Sequence, residues 1–542
     1  MGKKNFIQSA AILALAGVLV RLIGVVYRVP LAALIGLYGV GLYQLVFPVY
    51  NLLLTLSTAG IPGAISKMVS ERMVYNDRRN ARRVFGVSLG LLTGIGLVSA
   101  IAMAAGSGLI ADVLSKTDEG ARMLLPSVLA IAPALVFVSM ITAYRGYFQG
   151  HQNMTPTAVS QVIEQLLKFF PGLLLIAWLN RSGVQYGASG AMWSITMAEG
   201  VALLYIFVVF AVKERRMETL HSTRPAESYG AIARQLVALA LPMLVGALFL
   251  PLSSMLDGII VPDRLTSLGC TDEAATTLYG LLTGVVGLLV NVPSVISLSL
   301  STSLIPSIAE SNERHDRAAV ARKSRVGLKM TTLVSMPCAV GLAVLARPII
   351  VLLFDHGKAF DSPEQITISA ELMVVSALSV IFLSIVQSTN GTLQGIGRVK
   401  VPMYSLAAGA LVKVVLNYIL VGIPSLNIHG APIGTIALYG LSAAINLYFV
   451  RKYTGVRIAP VDLLGKPLLA SAGMGAAAWA LYTGLQGLLG GNLATIAAII
   501  VAVPVYLLLT VLFGAVGREE LLFLPKGDRL AAALRRMHLM KG

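Results

Sequence analysis

The chain is a succession of apolar runs, each about twenty residues long, separated by short connections rich in arginine and lysine. Runs of that length without strand-like alternation cross the roughly 30 Å hydrocarbon core of a bilayer as helices, at about 1.5 Å per residue. Within hydrocarbon the chain must satisfy its own backbone N–H and C=O groups, so only helices or a closed barrel can span it. The lack of alternation excludes the barrel. Composition agrees. Of 542 residues, 56% are hydrophobic and 12% are charged, about half the charged share of a soluble domain. The 52 glycines and 23 prolines suit close helix packing and kinked spans.

The expected fold is therefore an all-α polytopic membrane protein with 14 transmembrane helices, from 7–29 and 40–62 to 464–486 and 493–516. A net charge of +17 would suggest nucleic acid in a soluble chain. Here the basic residues cluster between apolar runs, as the positive-inside rule requires, so no nucleic acid partner is expected. With the N-terminus in the cytoplasm, 32 of the 42 Lys and Arg fall in inner segments and 6 in outer ones. Both termini are then cytoplasmic. The opening MGKKNF leads into an apolar run with no small-x-small cleavage site, which reads as a retained first helix. Cys270 and Cys338 stand far apart and read as unpaired. The six histidines have no ligand spacing, no P-loop or HExxH motif occurs, and neither an enzyme, a metal site nor a cofactor is expected. Gly36 to Gly41 links two apolar spans and reads as a tight outer turn.

The chain repeats itself. Ser57 to Pro62 is echoed by Ser301 to Pro306, Gln149-Gly150 by Gln394-Gly395, Lys168 by Lys413, and Gly187-Ala188 by Gly430-Ala431, at offsets of 243 to 245. Six helices per copy is an even number, so the copies have the same orientation: two parallel six-helix lobes. The expected organisation is an N-lobe over 1–212, a cytoplasmic linker over 213–234 that reads as a hinge, a C-lobe over 235–451, two extra helices within 452–516, and a basic tail over 517–542.

Four basic residues fall inside spans: Arg21, Arg28, Lys168 and Lys413. A charge at the centre of a membrane helix costs about 2.5–3.5 kcal/mol on insertion scales, so a retained one marks function or a partner. Arg21 and Arg28, seven apart, share a helix face. They line a wet cavity, or Arg28 snorkels to the interface. Glu164 and Lys168 are spaced i,i+4, which allows an internal ion pair. Lys413 faces glycine at position 409 instead, so both lysines line a shared cavity or both snorkel. Glu199 lacks a partner in its own span and is a candidate for ion coupling or for a bond between helices. Asn51 and other intramembrane amides line the cavity or bond between helices. A cavity with this cationic balance suits an anionic solute, phosphate above all.

The segments Leu19 to Gly24, Tyr50 to Leu53, Ser57 to Pro62, Tyr147 to Gly150 and Thr155 to Leu167, with the 14-helix plan, resemble the lipid II flippases. These belong to the multidrug/oligosaccharidyl-lipid/polysaccharide exporter superfamily. The resemblance is strongest to the Gram-positive branch that includes stage V sporulation protein B, and it covers nearly the whole chain. It implies a bacterial plasma-membrane flippase that moves undecaprenyl-diphosphate-linked peptidoglycan precursor outward by alternating access, driven by membrane potential or an ion gradient. It implies roles in cell-wall biogenesis, cell shape or sporulation, with membrane lipids and cell-wall synthesis enzymes as partners of a monomer. It assigns the headgroup to Arg21 and Arg28 and the lipid tail to a groove of the last two helices. Lys168, Lys413, Asn51 and Glu164, from their own placement in the chain, are further substrate-binding candidates. The chain departs from proteobacterial relatives: Leu54 and Thr55 follow Asn51 to Leu53 where those have arginines, and 277–306 contains no Lys or Arg. The alternatives are a flippase for another lipid-linked polysaccharide and a cation-coupled multidrug antiporter of the same superfamily.

Overall fold

The computed structural model describes residues 3–216, 225–355, 359–456 and 459–516. The expected basic tail and the middle of the linker lie outside them. Every regular element among the described residues is a helix. Among the described residues thirteen helices are long and apolar enough to cross a membrane, against the fourteen runs expected. The difference lies at the first, where both opening spans share one run. Helix α1, Lys3–Thr58, is 56 residues long, about 84 Å at 1.5 Å per residue, far more than a bilayer needs.

Helix α1 is broken at Gly36, with φ 66° and ψ 176°, a conformation that glycine alone adopts without strain. The outer turn expected over Gly36 to Gly41 is thus a one-residue break. Gly41 is helical and meets a neighbouring helix so closely that a Cβ there would sit 2.2 Å from the Thr276 carbonyl oxygen.

The described residues fall into two compact units, Met1–Gly280 and Leu281–Gly542. The first holds α1 to α9: α2 is Ile61–Met73, α3 Arg78–Ala105, α4 Ser107–Leu114, α5 Asp118–Gly150, α6 Thr155–Leu179, α7 Val184–Arg216, α8 Tyr229–Ser267 and α9 Asp272–Gly280. Small residues bring these helices together, as expected where lipid removes the hydrophobic drive between them. A Cβ on Gly146 or Gly150 of α5 would lie 2.8 or 2.6 Å from Ile65 or Val69 of α2. Around that seam Phe85, Tyr144, Tyr147 and Phe210 form an aromatic cluster; Phe85 and Phe210 are 4.6 Å apart.

The linker's far end is tied down. Arg72 on α2 pairs with Glu227 and donates from Nε to its Oε1 at 2.9 Å. Asn80 on α3 accepts from the Glu227 N–H at 2.9 Å and donates to the Pro225 carbonyl at 3.0 Å. Arg83 donates to the Glu227 carbonyl at 2.6 Å. The described end of the linker, Pro225 to Glu227, thus enters α8 through a clasp of side chains from α2 and α3.

The second unit begins with a π-helical turn, Leu281–Val286. There follow α10 Gly287–Glu313, α11 Arg317–Val344, α12 Ala346–Phe354, α13 Pro363–Gly395, α14 Lys400–Leu420, α15 Gly430–Thr454, α16 Lys466–Leu489 and α17 Gly491–Leu512. The last two form a hairpin turned at Gly490, φ 79°. They dock on α11, where Tyr506 donates to the Leu333 carbonyl at 2.7 Å and Gly475 meets Val340. Cys270 and Cys338 are both free thiols.

Candidate functional site: charges within the helices of the first unit

Glu164 and Lys168 stand one turn apart on α6, yet they do not pair with each other. Glu164 pairs with Arg145 of α5, whose guanidinium also donates to Ser160 Oγ from Nε at 3.1 Å and from Nη2 at 2.9 Å. Lys168 Nζ reaches across to Glu199 Oε1 of α7 at 3.6 Å. Both ion pairs thus cross between helices. The internal pair that the i,i+4 spacing allows on α6 does not form, and Glu199, which has no partner in its own span, finds one on another helix. The reason is geometric: α5 and α7 flank α6, and each offers an opposite charge at the depth where lipid offers none.

Arg145 is the residue that sequence reasoning missed. The charge count put it in an inner connection because the fourth apolar run thins out near position 146. The helix continues to Gly150 and holds Arg145 inside it. The usable signal was Gly146 and Gly150, which seat that end of α5 against α2.

All four side chains are largely buried: Glu199 is 8% exposed, Glu164 9%, Arg145 15% and Lys168 17%. Two cations and two carboxylates balance, which is what allows charge at this depth. Removing one member of a buried pair strands the other, at a cost of about 3–5 kcal/mol. The two pairs are not equally tight. Arg145 makes a multiply hydrogen-bonded contact, whereas the Lys168–Glu199 pair is long and Glu199 Oε2 is buried with no hydrogen-bond partner.

The arginines of α1 lie beside this group. Arg21, Gly24 and Arg28 share one face of α1. A Cβ on Gly24 would sit 3.7 Å from Gln165 Oε1, on the turn of α6 that bears Glu164 and Lys168. Arg21 is exposed and Arg28 half-buried. Neither has a hydrogen bond or ion pair with the described residues. Because the four buried charges neutralise one another, these two arginines are a net positive excess on that face. Asn51, on the second arm of α1, is half-buried; its carbonyl accepts from Thr55 Oγ1 at 2.7 Å.

Lys413 is half-buried on α14 of the second unit and is engaged there. Its surroundings differ in kind. By the repeat offsets, Asn390 stands for Arg145, Ser405 for Ser160, Gly409 for Glu164 and Ser442 for Glu199. Asn446 donates to Asn390 Oδ1 at 2.8 Å and to Thr389 Oγ1 at 3.2 Å. It accepts from Ser405 Oγ at 2.8 Å, and Ser442 Oγ donates to the Ser405 carbonyl at 2.9 Å. Every member is neutral. Among the described residues no three His, Cys, Asp or Glu side chains cluster as metal ligands would.

A family model described as polysaccharide biosynthesis protein matches residues 6–312, more than half of the chain, and a MatE model matches 274–419. Stage V sporulation protein B of Bacillus subtilis is 29% identical over 531 residues, covering 98% of this chain and 99% of that one. Lipid II flippase MurJ of the same organism is 25% identical over 470 residues, 83% of each chain. Among solved structures, lipid II flippase MurJ in an inward closed conformation superposes with a TM-score of 0.71 at 14% identity, covering 92% of this chain and 98% of that one. An inward-facing multidrug resistance transporter of the MATE family reaches 0.66 at 15% identity, covering 82% and 98%. The fold is that of the MOP superfamily transporters.

Proposed function

The chain belongs to the polysaccharide biosynthesis protein family, and we propose that this multi-pass membrane transporter is a flippase for an undecaprenyl-diphosphate-linked peptidoglycan precursor, lipid II. In this reading it works by alternating access in a bacterial plasma membrane, with both termini cytoplasmic. One observation carries the reading: Arg21 and Arg28 lie on one face of α1 with no internal anion among the described residues, beside a charge group that is already neutral. A diphosphate offers what such arginines lack, since guanidinium binds phosphate oxygens in a bidentate fork.

The driving force follows from the sign of the cargo. An anion leaving through an inside-negative potential moves downhill by about 2.3 kcal/mol per charge per 100 mV. The potential alone therefore supports export, and no cofactor is required. Glu199 is the candidate for any ion coupling, because its second oxygen is buried without a partner. Lys168, Glu164 and Asn51 are the further charge-balancing and polar candidates of the first unit, and Lys413 is the separate candidate of the second.

The test is Arg21→Ala in a strain depleted of its own lipid II flippase. Growth and exposure of lipid II on the outer leaflet should fall at least about tenfold, the effect of roughly 1.4 kcal/mol in binding. Unimpaired growth and exposure would overturn the proposal. A second reading, a different lipid-linked polysaccharide, is favoured by the family's description and by the relative named stage V sporulation protein B. Reconstituted protein assayed with lipid II, a teichoic-acid precursor and a capsule precursor decides between them.

A further inference from the structure

The turn after α2 and the turn after α10 share one local build. Each places a non-glycine residue at positive φ, Asn76 at 54° and His315 at 55°. Each follows it with an aspartate that caps the next helix, Asp77 accepting from the Asn80 N–H at 3.1 Å and Asp316 from the Ala319 N–H at 2.8 Å. What the turns hold is different. In the first unit Arg72 and Asn80 grip Glu227, so an anion from the chain itself occupies the turn. In the second unit the corresponding residues are Ser311 and Ala319, neither of which can pair with a carboxylate as Arg72 does, and Ser311 Oγ accepts from Lys323 Nζ at 2.9 Å.

A cavity of about 600 Å³ lies there, within the range of small-ligand sites. Three separate segments bring cations to it: Arg317 at the start of α11, Arg398 between α13 and α14, and Lys452 in the last turn of α15. Arg398 is held over the Tyr453 ring, 4.7 Å from its centroid. Among the described residues Asp316 is the one carboxylate lining the cavity, and it caps α11. None of the three cations has an ion pair with the described residues. Val320 and Ile396 form an apolar floor. Next to the cations on the chain, Val399 is 59% exposed, and Tyr404 and Tyr448 are each 62% exposed. A basic cavity beside exposed aromatic and apolar side chains is the profile of a membrane interface, on the side that the charge bias assigns to the cytoplasm.

We propose that this cavity seats the phosphate of an anionic phospholipid headgroup from the inner leaflet. Arg317 and Arg398 donate to the phosphate oxygens and Lys452 supplies a point charge. The site lies wholly within the second unit, and its lining includes none of the proposed substrate residues, neither Arg21 and Arg28 nor Lys413, so its test is independent.

The full-length protein is reconstituted in nanodiscs of phosphatidylcholine with a minority of phosphatidylglycerol, released into detergent, and its retained lipids are counted by native mass spectrometry. The wild type should retain phosphatidylglycerol in preference by on the order of tenfold, because each basic residue near the surface adds severalfold attraction. The variant R317Q/R398Q/K452Q should lose that preference. A control that removes as many exposed charges outside the cavity, R79Q/R322Q/R451Q, should keep it. R398K, which retains the charge, should keep most of it and guards against a folding defect in the triple variant. Equal retention by the triple variant and the wild type would overturn the proposal. Inorganic pyrophosphate binding to the wild type in pure phosphatidylcholine discs, and displacing the retained lipid, would overturn it too, by assigning the cavity to a soluble phosphate.

Discussion

Apart from Lys168 and its counterpart Lys413, the charged residues of the first unit's buried group are matched in the repeat by neutral ones. Arg145, Ser160, Glu164 and Glu199 in α5 to α7 correspond to Asn390, Ser405, Gly409 and Ser442 in α13 to α15. Both sets bond between helices, and only the first concentrates opposite charges in a space shielded from water. The same helix arrangement thus accepts two polar solutions. In one, large charged side chains reach across a gap. In the other, Gly409 removes the side chain and the helices close, so that a Cβ there would lie 2.5 Å from the Leu438 carbonyl oxygen. Short amides and hydroxyls then suffice. A neutral network stabilises packing and has little to offer a moving charge. A buried charged group changes its energy whenever an ion, proton or anion approaches. The first unit is therefore where coupling to a charged cargo is to be sought.

This contrast can be broken most sharply at Arg145. Arg145→Ala strands the Glu164 carboxylate and should lower stability by about 3–5 kcal/mol, read as a drop in the thermal unfolding midpoint of the purified protein. The double variant R145Q/E164Q should recover most of the loss, because no lone charge remains. If the single variant were as stable as the wild type, the four buried charges would not form a balanced group.

The neutral network should give less. Asn446→Ala leaves Asn390, Thr389 and Ser405 short of partners and should cost about 1–3 kcal/mol, measured the same way. A loss as large as that of Arg145→Ala would erase the distinction between the units.

The smallest structural effect is expected on α1. Arg21 is exposed and touches no internal anion among the described residues, so Arg21→Ala should change stability by no more than about 0.5 kcal/mol. Its transport should fall all the same. Stability and transport falling together would move Arg21 from the substrate path to the scaffold.

Much of this was legible in the chain. Helical runs and deep charges are local properties, and both are present in the structure's helices. The pairing of the charges was not legible. Spacing allowed Glu164 to pair with Lys168 four residues on, but the structure pairs it with Arg145, 19 residues back on another helix. Arg72 and Glu227 are 155 residues apart, and no local pattern announces their clasp. Arg145 itself was hidden by a helix that runs further than its apolar stretch.

The sequence by itself determined the solvent, the helical class and the presence of charges that lipid would reject. These follow from transfer energies that depend on residue type and run length alone. Tertiary structure decided how those charges are satisfied. Electrostatic pairing depends on a distance of a few ångströms, and that distance exists only once α5, α6 and α7 have packed. The same packing left Arg21 and Arg28 on a face beside a neutral group. It turned two expensive charges of the first helix into the part of the first unit with unspent positive charge.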